Sequence, residues 1–416
     1  MTTLTLLLAA LTLAGKPAAQ APFFHSELIF PLQSKHNHGS CVVELPNGDL
    51  LAVWYHGSGE RWADDVKIMG ARLPKGSDHW TKPLVYADNP GFPDTNPCLI
   101  VDPMKRLWLF WPTQLDNRWE GSLMQYKVSS DYRRADRVPV WQQEKLLLIK
   151  PGPEFQEDMK RELPEQFART NKDLPAARQK ELHAHMEDIL KMGDSELTVR
   201  LGWMTRPHPF ILDGKRLIVP LSSDGFEFAL VAWTDDWGKH WHTSAPIVGE
   251  ANQQPSIVER KDGTLVAFMR DDGPRPVPHV LLSESHDRGQ TWTSVHDSPI
   301  VDTGAGVEAI VLKDGRWLLV NNDIPQDRYQ LGISISEDEG KTWPWVTYLE
   351  RDPGAPGFGS YCYPSIIQRK DGTIDVTYSY SPNAAAIARI GKGESIKHAH
   401  FNEAWLLAHR EPLPGR

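Results

Sequence analysis

Ser285-His286-Asp287-Arg288-Gly289-Gln290-Thr291-Trp292 is one of three copies of a single turn, and its repetition decides the fold. The other two are Thr234-Asp235-Asp236-Trp237-Gly238-Lys239-His240-Trp241 and Ser336-Glu337-Asp338-Glu339-Gly340-Lys341-Thr342-Trp343. From Asp236 to Asp287 and from Asp287 to Asp338 the step is 51 residues. A regular period of this order marks an array of supersecondary units. In each copy the hydroxyl and the aspartate at the third position can accept hydrogen bonds from turn amides, glycine admits positive φ, and the tryptophan packs between sheets. The turn is therefore structural, not catalytic. Ser130-Asp131-Tyr132 and Gly76-Ser77-Asp78-His79-Trp80 read as decayed copies.

Working outward, each copy lies behind a hairpin in which two apolar strands flank a short polar turn. Six such hairpins occur: Cys41 to Trp54 about Asn47-Gly48, Cys98 to Trp111 about Lys105-Arg106, Phe210 to Leu221 about Asp213-Gly214, Ser256 to Met269 about Asp262-Gly263, Ala309 to Val320 about Asp314-Gly315, and Ser365 to Tyr378 about Asp371-Gly372. Apolar alternation about Asn-Gly or Asp-Gly is the strongest short-range hairpin signal. Six hairpins predict an all-β fold, a six-bladed β-propeller, whose radial repetition leaves only short, protected strand edges. One stretch departs from the pattern. From Glu154 to about Leu197 the sequence is charged, and Phe155, Met159, Leu163 and Phe167, then Leu182, Met186, Ile189 and Leu190, fall at near-helical spacing. It predicts two helices inserted between blades two and three, either packed on the rim or walling the binding face. His183 and His185 within it are expected to be solvated.

The chain's 16 Trp, 31 Gly and 33 Pro suit a turn-rich all-β protein. Its net charge of -9, with no basic stripe, argues against a nucleic-acid partner. Met1 to Ala21, with an apolar run from Leu4 to Leu13 and then Ala19-Gln20-Ala21, reads as a signal peptide, placing the mature chain from residue 22 in a secreted or periplasmic setting. No segment is apolar for long enough to span a membrane. Cys41, Cys98 and Cys362 do not form a disulfide scaffold and leave at least one thiol unpaired.

The three spaced turns, known as Asp boxes, behind their blade hairpins resemble the sialidase (neuraminidase, BNR-repeat) superfamily over nearly the whole mature chain. The resemblance implies an exported exo-glycoside hydrolase acting on a glycan, with arginines binding a substrate carboxylate, an aspartate acid/base, a tyrosine nucleophile and no cofactor. Arg61 and Asp65, in Glu60-Arg61-Trp62-Ala63-Asp64-Asp65, resemble the family's second arginine and acid/base, with Asp64 as the alternative. Arg270, closing Leu265-Val266-Ala267-Phe268-Met269-Arg270, and Arg328, in Asp327-Arg328-Tyr329, resemble the remaining arginines. Tyr363, in Tyr361-Cys362-Tyr363-Pro364-Ser365, stands where the nucleophile is expected. Arginines grip a carboxylate through paired charge-assisted hydrogen bonds that lysine cannot reproduce. A neutral tyrosine suits attack at an anomeric centre that already bears a carboxylate.

Two positions depart from that pattern. His38, in His38-Gly39-Ser40-Cys41, replaces the first arginine, so the clamp lacks one cation unless His38 is protonated. Gln254, in Asn252-Gln253-Gln254-Pro255, replaces the glutamate that assists tyrosine ionisation, and Glu308, in Gly306-Val307-Glu308-Ala309, is the candidate substitute. His36, Asn96, Arg206 and His208 also fall at blade entrances, with Arg206 a candidate replacement cation. His36, His38, His56 and His208 lack tight metal-ligand spacing, so no metal is expected. Besides the hydrolase, two readings stay open: a carbohydrate-binding propeller without catalysis, and a uronate-directed lyase or glycosidase with a histidine base.

Overall fold

Four strands that each hydrogen-bond to the next make a twisted sheet with two apolar faces, and six such sheets bury those faces against one another. The computed structural model describes residues 21–275, 277–353 and 357–413, so the expected signal peptide lies outside the described residues except for Ala21. Blade one runs His36–Glu44, Leu50–Gly57, Lys67–Leu73 and Leu84–Ala87. Blade two runs Cys98–Val101, Leu107–Gln114, Ser122–Ser129 and Gln143–Leu146. In blade three the innermost strand is split into Trp203–Met204 and Phe210–Leu212, both paired with Arg216–Ser223, before Phe228–Thr234 and His242–Thr243. Blade four runs Asn252–Glu259, Leu265–Asp271, His279–Ser285 and His296–Val301. Blade five runs Glu308–Val311, Trp317–Asn321, Gln330–Ser336 and Trp345–Arg351, with Glu411–Pro412 added at its edge.

Blade six closes the ring. Its inner strands are Ser360–Gln368, Ile374–Ser381 and Ser395–Phe401, and its outermost strand, Phe24–Leu28, comes from the other end of the chain. Phe24 pairs with Phe401 and Leu28 with Lys397, antiparallel. The result is the sialidase-like six-bladed propeller expected from the repeats.

All six hairpins form the two inner strands of a blade, but most turns are wider than the two-residue form. The amide of Gly48 donates to the carbonyl of Leu45, with Gly48 at φ +89°, and Gly263, Gly315 and Gly372 repeat this arrangement. A turn followed by one left-handed residue keeps the strands' twist. Only Asp213 and Gly214, both at positive φ, have the tighter geometry. The Asp boxes close the third strand of blades three, four and five. In the middle copy Ser285 Oγ donates to Asp287 Oδ1 at 2.9 Å and accepts from the Gly289 amide at 2.9 Å, while Asp287 Oδ1 accepts from the amides of Gln290 and Thr291 at 3.0 and 2.9 Å.

The insert folds as two long helices, α1 (Glu154–Thr170) and α2 (Ala176–Met192), with a short third helix, α3 (Glu196–Arg200), extending it past the expected boundary. Phe155, Met159, Leu163, Phe167, Leu182, Met186 and Ile189 are buried as their spacing predicts, and Leu190 is only partly so. Phe155 packs on Trp203, Phe226 and Phe228 of blade three. Arg169 donates to the carbonyl of Val295, and Asn171 to Glu250, so the insert also reaches blade four. The three cysteines are free and buried. Among the described residues no helix is long and apolar enough to cross a membrane.

Candidate active site

The innermost strands of a propeller converge on its axis, and here three of them are bent where they begin. Register shifts fall between His38 and Cys41, Gln253 and Ser256, and Cys362 and Ser365. Within these bulges Gly39, Gln254 and Tyr363 adopt φ of +61°, +56° and +54°, and Asn96 at the start of blade two adopts +42°. Non-glycine residues held in this region store strain, and a bulge re-aims the side chain it carries. Asn96, Gln254 and Tyr363 all precede a proline, and all three line one cavity of about 260 Å3 at the axis.

His38, Tyr55, Asn96, Gln254, Arg270 and Tyr363 form the buried floor of that cavity, with Arg61, Trp119, Asp224 and Asp272 nearer its mouth. Arg270 Nη1 donates to Tyr363 Oη at 2.8 Å, its Nε to Gln253 Oε1 at 3.1 Å, and its Nη2 to Asp272 Oδ2 at 3.0 Å. The guanidinium of Arg328 lies 5.3 Å from the Tyr363 ring centre, and its Nη1 is 3.6 Å from Cys362 Sγ. The Arg61 guanidinium sits between Trp62 and Trp119, 5.3 and 5.1 Å from their ring centres. Three of the expected arginines and the tyrosine therefore share one cavity.

His38 supplies no charge there. Burial holds its imidazole well below the ordinary histidine range, and the charges of His36, Arg328, Arg206 and Arg270 push the same way. Its ring is 4.2 Å from that of Tyr363, centre to centre. The charged histidine is instead His36, 2.8 Å from Glu394 and 3.3 Å from Glu60. Burial works against its protonation, but the two carboxylates outweigh burial and raise it to about 9.

Five sequence candidates lie outside that cavity. Asp65 is 41% exposed, with Oδ2 on Lys35 Nζ at 2.6 Å and Oδ1 on the amide and hydroxyl of Ser58 at 2.8 and 2.7 Å. These partners hold it ionised far below the usual carboxylate range. Its neighbour Asp64 accepts from Asn117. Glu308 does not line this cavity: Oε1 accepts from His208 N and Nδ1 at 2.7 Å, and Oε2 from the Ile366 amide at 3.0 Å. Both Glu308 and His208 line a separate, larger and mainly apolar cavity of about 510 Å3 with Val43, Ile257 and Ile366. Arg206 does not line that cavity either. It is buried, donating to the carbonyls of Pro364 and Val307 at 2.9 Å each, and lies 5.5 Å from the Tyr363 ring centre. It therefore braces the strand that carries the tyrosine.

Gln254 does line the cavity, and its Oε1 has no hydrogen-bond partner among the described residues. Reading the sequence alone misses Glu60, Tyr55, Trp119 and Asp224 as lining residues. The signal that finds part of the floor is the recurrent residue-proline pair at blade starts, in Asn96-Pro97, Gln254-Pro255 and Tyr363-Pro364. Among the described residues no group of three His, Cys, Asp or Glu side chains gathers as a metal-ligand set.

Six blades around a polar, arginine-lined axial cavity define a sialidase-like propeller. Residues 48–376 match the BNR repeat-like domain, and the chain belongs to that family. No curated protein sequence matches it. Among solved structures it is similar to a protein of unknown function from Dyadobacter fermentans, with a TM-score of 0.64 and 16% identity over 91% of this chain and 97% of that one. It is also similar to the leech intramolecular trans-sialidase, with a TM-score of 0.65 and 13% identity over 92% and 71% of the two chains. The NanB sialidase of Streptococcus pneumoniae gives a TM-score of 0.64 at 13% identity over 91% and 71%.

Proposed function

We propose that this protein is an exported, sialidase-like exo-glycoside hydrolase that removes a terminal acidic sugar from a glycan. The observation that carries the reading is the convergence of Arg61, Arg270 and Arg328 with Tyr363 on one cavity of about 260 Å3. Guanidinium groups at the wall match the geometry of a carboxylate. The hydroxyl of Tyr363, aimed by its bulge and held by Arg270, is the nucleophile for a two-step displacement. The leader read at Met1 to Ala21 supports export.

A second reading, a uronate-directed lyase, is favoured by the uncharged ring of His38 beside Tyr363. A neutral imidazole is the form that accepts a proton. Product analysis with sialosides and uronate-capped oligosaccharides separates the two. An intact acidic sugar, released by the native protein and not by Tyr363→Phe, is the expected result. An unsaturated uronate identifies the lyase. Binding without any product leaves a carbohydrate-binding propeller, with neutral Gln254 in place of a carboxylate.

A further inference from the structure

Three carboxylates line the cavity with Tyr363, and two are already committed to cations. Asp272 accepts from Arg270 at 3.0 Å. Glu60 is paired with His36 at 3.3 Å and Arg61 at 3.5 Å, and despite its burial it is held below the usual carboxylate range by His36 and Arg61. The third, Asp224, makes no hydrogen bond or ion pair among the described residues. It lies on the turn joining Arg216–Ser223 to Phe228–Thr234 in blade three, opposite blade six in the ring. A double displacement needs its nucleophile and its proton donor on opposite faces of the sugar.

We infer that Asp224 is the catalytic residue that exchanges a proton with the glycosidic oxygen, and that the helical insert is the wall that holds its turn. This rests on the hydrolase reading above. The turn is braced from the insert: Glu227, at φ +57°, accepts from His185 of α2 at 3.0 Å. Met192, the last residue of α2, sits so close that a Cβ on Gly225 would stand 3.1 Å from its Cε and 3.2 Å from Glu120 Cγ. Burial raises the Asp224 carboxyl to about 6, with Asp272 and Glu120 adding like charge and Arg270 and Arg61 opposing. A carboxyl of that strength holds a proton to give and, once ionised, takes one back near neutral pH.

In the first step Asp224 gives its proton to the glycosidic oxygen as the bond from that oxygen to the anomeric carbon breaks, and the alcohol departs neutral. Tyr363 Oη bonds to the anomeric carbon, and the phenolic proton passes to water. In the second step the Asp224 carboxylate removes a proton from water as the water oxygen bonds to the anomeric carbon. The bond to Tyr363 breaks, and the phenolate regains a proton from solvent.

The test compares full-length Asp224→Asn, Asp65→Asn and Tyr363→Phe on acidic-sugar glycosides with sugar and nitrophenol leaving groups. General-acid removal costs about 100-fold to 10,000-fold where the leaving oxygen needs a proton. Asp224→Asn is expected to show that loss on the sugar leaving group and far less on nitrophenol, with azide accelerating its nitrophenyl turnover. Asp65→Asn should match the native protein, and Tyr363→Phe should lose both substrates. An active native protein with an inactive Tyr363→Phe and an unimpaired Asp224→Asn overturns the assignment alone. No turnover by the native protein, or full turnover by Tyr363→Phe, overturns the hydrolase reading and the assignment with it.

Met192→Gln supplies a readout that does not depend on the folding of Asp224→Asn. Admitting water to the turn should move the loss of activity at rising pH to a lower pH, because the acid must be protonated to act. An unmoved profile in a folded Met192→Gln protein counts against the insert as its wall.

Discussion

Arg270 of blade four and Tyr363 of blade six are joined by a 2.8 Å hydrogen bond from Nη1 to Oη. The guanidinium is fixed on its other edge by Gln253 and Asp272, so it delivers charge to the tyrosine oxygen from a rigid frame. A hydrogen bond to a charged group contributes about 1.5–3 kcal/mol. Arg270→Lys keeps the charge and loses the fork, and kcat/KM on the substrate found by product analysis should fall roughly 10- to 100-fold. Unchanged kinetics in this variant would remove Arg270 from the site.

His36 links stability to pH. Its pKa in the fold, about 9, lies above the ordinary 6.5, so the stabilisation is complete below about pH 6.5 and is lost as pH rises through 9. The shift is worth on the order of 3 kcal/mol at most. In denaturant titrations the stability difference between the native protein and His36→Gln should shrink between about pH 6 and pH 10. A difference that stays flat over that window would show that Glu60 and Glu394 do not hold the charged form.

Asp287 ties its turn together with four hydrogen bonds, from Ser285 Oγ, the amides of Gln290 and Thr291, and Thr291 Oγ1. Asp287→Ala should cost about 1–3 kcal/mol of stability. None of these residues lines the cavity. Binding of the substrate found by product analysis should therefore stay within roughly twofold in the folded variant, as for distant, independent sites. Calorimetry and a urea titration on one preparation measure both.

Gly306 sits where a side chain would meet the brace behind the tyrosine. A Cβ there would stand 2.8 Å from Arg206 Nε and 3.1 Å from Gln254 Oε1. Gly306→Ala should destabilise the fold by about 1–3 kcal/mol, the usual cost of overpacking. It should also weaken sugar binding, because Arg206 holds the carbonyl of Pro364, next to Tyr363. A stable variant with native affinity would show that Arg206 can move without disturbing the floor.

The propeller was legible because its signals are local. A hairpin turn and an Asp box each complete their hydrogen bonds within a few residues, as Gly48 to Leu45 and Thr291 to Asp287 do. The insert's apolar faces follow helical spacing for the same reason. Arg61, Arg270, Arg328 and Tyr363 were legible as lining residues through the family's pattern, and the structure brings all four to one cavity. Asp65 and Glu308 lie off the cavity because a position in the sequence does not fix where a carboxylate points. Lys35, about thirty residues before Asp65 in the chain, and His208, about a hundred before Glu308, turn each away from the cavity. Asp224 carried no signal at all, because Met192 and Glu120, the side chains packed against Gly225 in its turn, are brought there only by the fold.

The pairing of Phe24 with Phe401 means that the sheet bearing Tyr363 cannot be completed until Ser395–Phe401 has been synthesised. Among the described strands Phe24–Leu28 is made first and waits for a neighbour that follows the inner strands of every blade, so the emerging polypeptide passes through a stage with a sixth sheet lacking its outer ribbon. The finished ring is a band fastened by a clasp. Tension applied near Phe23 is met first by the ladder to Ser395–Phe401, so the molecule should open from the sheet that holds Tyr363, while the other five still stand.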